Sequence, residues 1–168
     1  FSMVQLWVNL PAADKLSKPK YQEILNSNIP KVQLPNDSGV VEVIAGNYEG
    51  TKGAASTFTE VHAFNVKLKA GGTANFSFNE RNNTGILIIA GSITVNEEQN
   101  LTTSEFGLFS NDGETFNLSC TEDATILILS GEPILEPIAA YGPFVMNTKQ
   151  ELMDAFHQFE RGEFGELE

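Results

Sequence analysis

The chain has 168 residues, 41% of them hydrophobic and 12 of them phenylalanine, enough apolar mass for one domain with a real core and too much for a disordered chain. Ten basic residues against 22 acidic ones give a net charge of −12, a surface that repels phosphate backbones and argues against direct nucleic-acid binding. No run of about 18 apolar residues occurs, so no membrane-spanning helix is expected, and the lone Cys120 forbids an internal disulfide and points to the reducing cytoplasm.

In chain order, Val4–Leu10 is an apolar run closed by Pro11, and its Trp and Val residues predict a strand. Ala12–Tyr21 is polar and contains Pro19, which reads as a loop, and Tyr21–Asn28 has room for one helical turn before Pro30. Val40–Ala45 is a β-branched run ended by Gly46, and Gly46–Gly53 reads as a glycine-containing loop. Glu60–Lys69 alternates, with Val61, Ala63 or Phe64, Val66 and Leu68 apolar, and Gly71-Gly72 turns the chain. Thr73–Phe78 alternates again with Ala74, Phe76 and Phe78 on one face, and Glu80–Thr84 is an Asn-rich turn. Gly85–Ile89 is continuously apolar, as in a strand covered on both faces, and Ala90-Gly91-Ser92 turns it into Ile93–Val95. Phe106–Phe109, Thr115–Ser119 and Ala124–Leu129 supply further strands. Turn signals every eight to twelve residues or so predict an antiparallel β-sandwich or barrel.

One strong helix is expected, Lys149–Arg161. Thr148-x-x-Glu151 reads as a capping box, and Gly162 suits the C-terminal stop. Leu152, Ala155, Phe156 and Phe159 fall on one helical face and form a docking stripe.

Little in the sequence carries chemistry. Imidazole and carboxylate groups that hold a transition metal must converge on one point, and the chain has two histidines. His157 falls off the apolar helix face and reads as solvated. His62 is the one metal-ligand candidate. It would point outward if Val61 points in, and no second histidine is near it in sequence, so no metal site is expected. Glu132 and Glu136 flank Pro133 in a loop and read as solvated or as ordering that loop. Cys120 has no basic neighbour to lower its pKa and reads as a small strand residue. The sequons at Asn36, Asn75, Asn82, Asn100 and Asn117 read as chance in an Asn-rich chain.

Two phrases bracket the chain. Gln5-Leu6-Trp7-Val8-Asn9-Leu10-Pro11 stands near the start. Gly131-Glu132-Pro133-Ile134-Leu135-Glu136-Pro137, followed by Tyr141-Gly142-Pro143-Phe144-Val145-Met146-Asn147-Thr148, stands near the end. Together they resemble the pirin family of the cupin superfamily. The resemblance extends through Lys18–Gln22, Ile29–Val32, Val43–Gly46 and Phe164-Gly165, and weakens over Phe76–Leu118. Pirins are two-domain cupins whose first domain binds a metal, usually iron, through His and Glu; members resemble quercetin 2,3-dioxygenases, and some act as redox-sensitive transcription cofactors. The phrase at Gln5–Pro11 lies mid-chain in the family, so this chain resembles the C-terminal half without the N-terminal metal-binding cupin. No first-domain ligand has a counterpart here, so no cofactor is expected in this chain.

The expected fold is all-β: a cupin-like antiparallel β-sandwich with one C-terminal α-helix. Residues 1–20 form a strand and loop resembling the pirin inter-domain segment, 21–147 the β domain, and 148–168 the helix and tail. The expected role is structural or protein-interacting, with no enzymatic activity for this chain alone. The alternatives are a fragment of a pirin-type metal-dependent quercetin 2,3-dioxygenase, and a small-ligand barrel lined by Phe76, Phe78, Phe109 and Phe116. Leu6, Trp7, Val8, Leu152, Phe156 and Phe159 are the expected interaction surface, toward a second copy in a homodimer, which is the favoured outcome, or toward the missing N-terminal cupin.

Overall fold

The computed structural model describes residues 3–165. Tyr21–Pro133 form one compact unit, and the two ends of the chain, up to Lys20 and from Ile134, form another.

The first unit is a β-sandwich. Its strands are β1 (Lys31–Gln33), β2 (Gly39–Ala45), β3 (Asn47–Tyr48), β4 (Thr51–Lys52), β5 (Val61–Leu68), β6 (Thr73–Ser77), β7 (Asn83–Ala90), β8 (Ser92–Val95), β9 (Gln99–Thr102), β10 (Phe106–Leu108), β11 (Thr115–Ser119) and β12 (Ala124–Gly131). Six of them form one antiparallel sheet in the order β1-β2-β5-β12-β7-β10, and four form another in the order β6-β11-β8-β9. The strands β3 and β4 make a tight hairpin, where the sequence suggested only a loop. The one helical turn expected before Pro30 is a 3₁₀ turn at Asn26–Asn28.

Register explains why these runs become strands. The inward positions of the three central strands stack in rows: Val66 with Ile126 and Ile88, then Phe64 with Ile128 and Ile86. All six side chains are 1% exposed or less. Alternate residues of β6 and β11, namely Ala74, Phe76, Phe116 and Leu118, close the core from the other sheet. Their odd-numbered neighbours, Asn75, Ser77, Thr115, Asn117 and Ser119, face outward because strand side chains alternate. The sequons at Asn75 and Asn117 therefore follow from a polar face repeating every second residue.

One carboxylate is buried outside the core. Glu42 is 5% exposed on the outer face of β2, opposite Lys31 on β1 and Asn65 on β5. Lys31 and Lys67 each approach its Oε1 at 3.0 Å, and Asn65 donates to Oε2. Burial alone would raise its pKa, but the hydrogen bonds from Lys67, Asn65 and Lys31 prevail and bring it down to about 2.

The second unit holds β13 (Ala139–Tyr141) paired with β14 (Phe144–Met146), and α1 (Lys149–Glu160). The capping box forms as expected: Glu151 N donates to Thr148 Oγ1, and Thr148 N donates back to the Glu151 carboxylate. Gly162 has φ +71, the left-handed conformation of a helix stop. Val4–Leu10, expected as a strand, is not one; it pairs with no strand among the described residues. A strand exists only where a neighbour takes up its ladder hydrogen bonds, and β propensity alone supplies no neighbour.

Candidate functional site

The apolar rows of the sandwich give way to a polar row at one end. His62 on β5 stands opposite Ser130 on β12, which stands opposite Thr84 on β7. This resolves the phase that the sequence left open at His62. Phe64, Val66 and Leu68 set the phase of β5, so His62 lies on their side and Val61 does not. Its ring centroid lies 5.0 Å from that of Phe78 and 5.8 Å from that of Phe64. The chain has to be glycine at Gly46, where φ is +83 and a Cβ would fall 2.4 Å from His62 Nδ1.

The row is hydrogen-bonded throughout. Thr84 Oγ1 and Ser130 Oγ are 2.9 Å apart, and Asn82 Nδ2 reaches Ser130 Oγ at 3.4 Å and Glu60 Oε1 at 3.2 Å. The Asn47 backbone N–H donates to His62 Nδ1 at 3.3 Å. That bond makes Nδ1 the acceptor, so Nε2 carries the proton and donates to Glu60 Oε1 at 3.1 Å. Hydrogen bonds from Asn82 and then His62 hold the Glu60 carboxyl below the usual carboxylate range. Asn82, Thr84 and Ser130 are each less than a tenth exposed, so satisfying them is a condition of folding.

The arrangement orders one end of the sandwich and offers little for catalysis. Both imidazole nitrogens are engaged, one by a backbone amide and one by Glu60. Among the described residues, no group of three or more His, Cys, Asp or Glu stands where it could hold a metal ion. The donor set around His62 does not match the several His and Glu that a cupin metal requires. The four phenylalanines expected to line a ligand barrel pack on one another instead, with Phe116 centroids 5.4, 6.1 and 4.4 Å from Phe76, Phe78 and Phe109. The cleft beside them, under Asn82 and Thr84, holds about 80 Å³, well below the roughly 300 Å³ of a drug-sized site. Cys120 is buried against the Lys69 and Gly72 carbonyls, and burial raises its thiol pKa.

The expected interaction residues all belong to the second unit. Phe156 and Phe159 gather around Phe144, with centroids 4.7 and 5.9 Å from it, and Phe164 joins at 6.0 Å. Ala155 is buried and Leu152 half-buried, but Phe159 is 62% exposed. Leu6, Trp7 and Val8 lie outside this cluster, and Trp7 is 67% exposed. Glu136 orders the loop, as one reading of the sequence expected: its Oε2 accepts from Ala12 N and from Asn147 Nδ2, both at 2.8 Å. Asn147 Oδ1 is buried without a partner among the described residues. Sequence reasoning missed the polar row, although Asn82, Thr84 and Ser130 interrupt or end apolar runs, because the row exists only through pairing of β5, β12 and β7.

An antiparallel sandwich of this topology, with its interior filled by stacked side chains and one terminal helix, is a cupin-type β domain. A family model for the pirin C-terminal cupin domain matches residues 63–165. The chain belongs to the pirin family. It is 38% identical over 162 residues to a pirin-like protein of Caulobacter vibrioides, covering 95% of this chain and 58% of that one. It is 30% identical over 168 residues to pirin of Rattus norvegicus, covering 96% and 56%. The crystal structure of a quercetin 2,3-dioxygenase from Acinetobacter baumannii superposes with a TM-score of 0.90 at 39% identity, over 96% of this chain and 56% of that one. The chain thus spans little more than half the length of these relatives. Among the described residues no helix is long and apolar enough to cross a membrane.

Proposed function

We propose that this chain is the metal-free, structural and protein-interacting half of a pirin-type protein. It acts in the cytoplasm, and its second unit docks on a metal-bearing cupin half of the kind expected of its relatives. The observation that carries the reading is the uneven cover of the two units. The second unit exposes Val4, Leu6, Trp7, Val8, Ile138 and Phe159 at 48% or more, while exposed apolar patches of this kind mark interaction surfaces. The matching length, 56–58% of the relatives, supports the remaining half as the occupant over a second copy. The chain alone turns over no flavonol, since the fully engaged His62 leaves no position for a metal.

Sedimentation of the chain mixed with the N-terminal half of the Caulobacter relative tests the docking. A one-to-one complex, weakened by Trp7→Lys, is expected. A homodimer that resists that half, or a complex indifferent to Trp7→Lys, would sink it. Elemental analysis after dialysis tests the metal-free reading separately; stoichiometric iron, copper or nickel lost in His62→Ala would overturn it.

A further inference from the structure

On the outer face of the four-stranded sheet lies a groove of about 580 Å³, bounded by the β3–β4 hairpin, β6, β11 and the turn after β8. Four asparagines line it: Asn47, Asn75, Asn96 and Asn117. Each uses one half of its amide inside the protein. Asn96 Oδ1 accepts from the Asn117 backbone N–H at 2.9 Å, and Asn47 Oδ1 accepts from Gly50 N–H at 3.0 Å. Asn117 Nδ2 donates to the Ala74 carbonyl at 3.4 Å and to Asn75 Oδ1 at 2.9 Å.

These bonds fix which way each amide points, because a backbone N–H demands an oxygen and a carbonyl demands an N–H. The other half of each amide has no partner among the described residues. Asn47, Asn75 and Asn96 each present an Nδ2 donor, and Asn117 presents an Oδ1 acceptor. The side chains are held in place before any ligand arrives, which lowers the ordering cost of binding.

We propose that this groove binds a neutral polyhydroxylated ligand, a saccharide. Fixed amides that offer both donors and an acceptor match vicinal hydroxyls, which both accept and donate. No lysine or arginine lines the groove and Glu49 does; with the net charge of −12, this disfavours an anion. Three outward N–H donors disfavour a cation. Phe76 and Phe116 border the groove, but their rings are turned into the core and buried, so a flat aromatic ligand finds no open ring to stack on. The volume falls within the range of small-ligand sites, about 300–1,000 Å³. The proposal does not depend on the docking of the second unit.

Side-chain amide resonances, followed by ¹⁵N correlation spectra during titration with maltotriose and with cellotriose, test it. Saturable shifts of the Asn47, Asn75 and Asn96 side-chain amides are expected with at least one sugar. Asn96→Asp and Asn75→Asp keep the inward oxygen and replace only the outward donor, so the fold and melting temperature are retained. Each is expected to weaken binding by about tenfold, the loss of roughly one hydrogen bond. Three results would overturn the proposal. One is no shift with either sugar up to the order of 10 mM. Another is unchanged affinity in both Asp variants. The third is inorganic phosphate producing the same shifts as the sugars.

Discussion

The two units of this chain solve the problem of apolar surface in opposite ways. The sandwich, Tyr21–Pro133, holds a closed core in which Phe64, Ile86, Val66 and Ile128 show no exposure at all, and its exposed large apolar residues, such as Phe58, Phe106 and Leu108, lie outside that core. The unit made of the chain ends gathers Phe156, Phe159 and Phe164 around Phe144 but leaves Phe159 and Phe164 half exposed or more, and among its described residues Ala155 alone is fully buried. Stability scales with apolar area removed from water, at about 25 cal/mol per Å². The sandwich is therefore self-sufficient, whereas the end unit gains from whatever covers it. The largest expected effect follows from this contrast. Phe64→Ala opens a cavity between fully packed rows and is expected to cost about 3–5 kcal/mol, lowering the melting temperature on the order of 10 °C. Phe159→Ala, in the end unit, is expected to cost under about 1 kcal/mol, since a side chain that stays in water in the folded state loses little. Thermal melts of the two variants decide it; equal costs would mean that the units are equally packed and would break the comparison.

The sandwich was legible in the sequence where apolar residues alternate or run together, because burial on a strand face needs that period. Val40–Ala45, Glu60–Lys69, Thr73–Phe78, Gly85–Ile89 and Ala124–Leu129 all became strands of the core. The strands that were missed, such as Lys31–Gln33, Gln99–Thr102 and Ala139–Tyr141, are short and mostly polar or exposed, so they leave no periodic trace. The error at Val4–Leu10 has the converse cause, a strong local preference with no neighbour to pair with. The side of the sheet that His62 faces was not legible, because an alternating stretch has two phases and the sequence offered Val61 as readily as Phe64 to set it. The asparagine groove left only a faint signal, Asn75 and Asn117 out of phase with buried Phe76 and Leu118. Its assembly rests on pairing β6 with β11 and on the turn at Asn96, which are non-local facts.

Acid is the next way to separate the units. Glu42 titrates at about 2 in the folded sandwich against an ordinary value of 4.5. A folded-state pKa below the unfolded one means that its stabilisation is complete above about pH 5 and is lost as pH falls toward 2. The amount at stake is about 3 kcal/mol. Urea denaturation at a series of pH values is expected to show this loss in the native chain. In Glu42→Gln the stability is lower at pH 7 and nearly flat by comparison across the acid range. The exposed Arg161–Glu163 pair of the end unit contributes nothing measurable to that curve, since solvent and salt screen it. An unaltered acid profile in Glu42→Gln would remove the buried carboxylate from the account of the sandwich.

The smallest expected effect tests whether the two units open separately. Thr148 caps α1 by accepting from Glu151 N at 3.2 Å, and its own N–H donates to Glu151 Oε2 at 2.8 Å. Thr148→Ala removes the first bond and leaves an orphan amide in the first turn, at a cost of about 1 kcal/mol. In a unit with so little buried surface, that energy is local. Amides of α1 are then expected to exchange with solvent about fivefold faster, the factor that 1 kcal/mol represents, while those of β12 keep their protection. Hydrogen exchange resolved by residue reads both at once. If β12 amides speed up by the same factor, the end unit and the sandwich open in one step. The cap is then part of the global stability, and the difference between the units is one of exposure without being one of cooperativity.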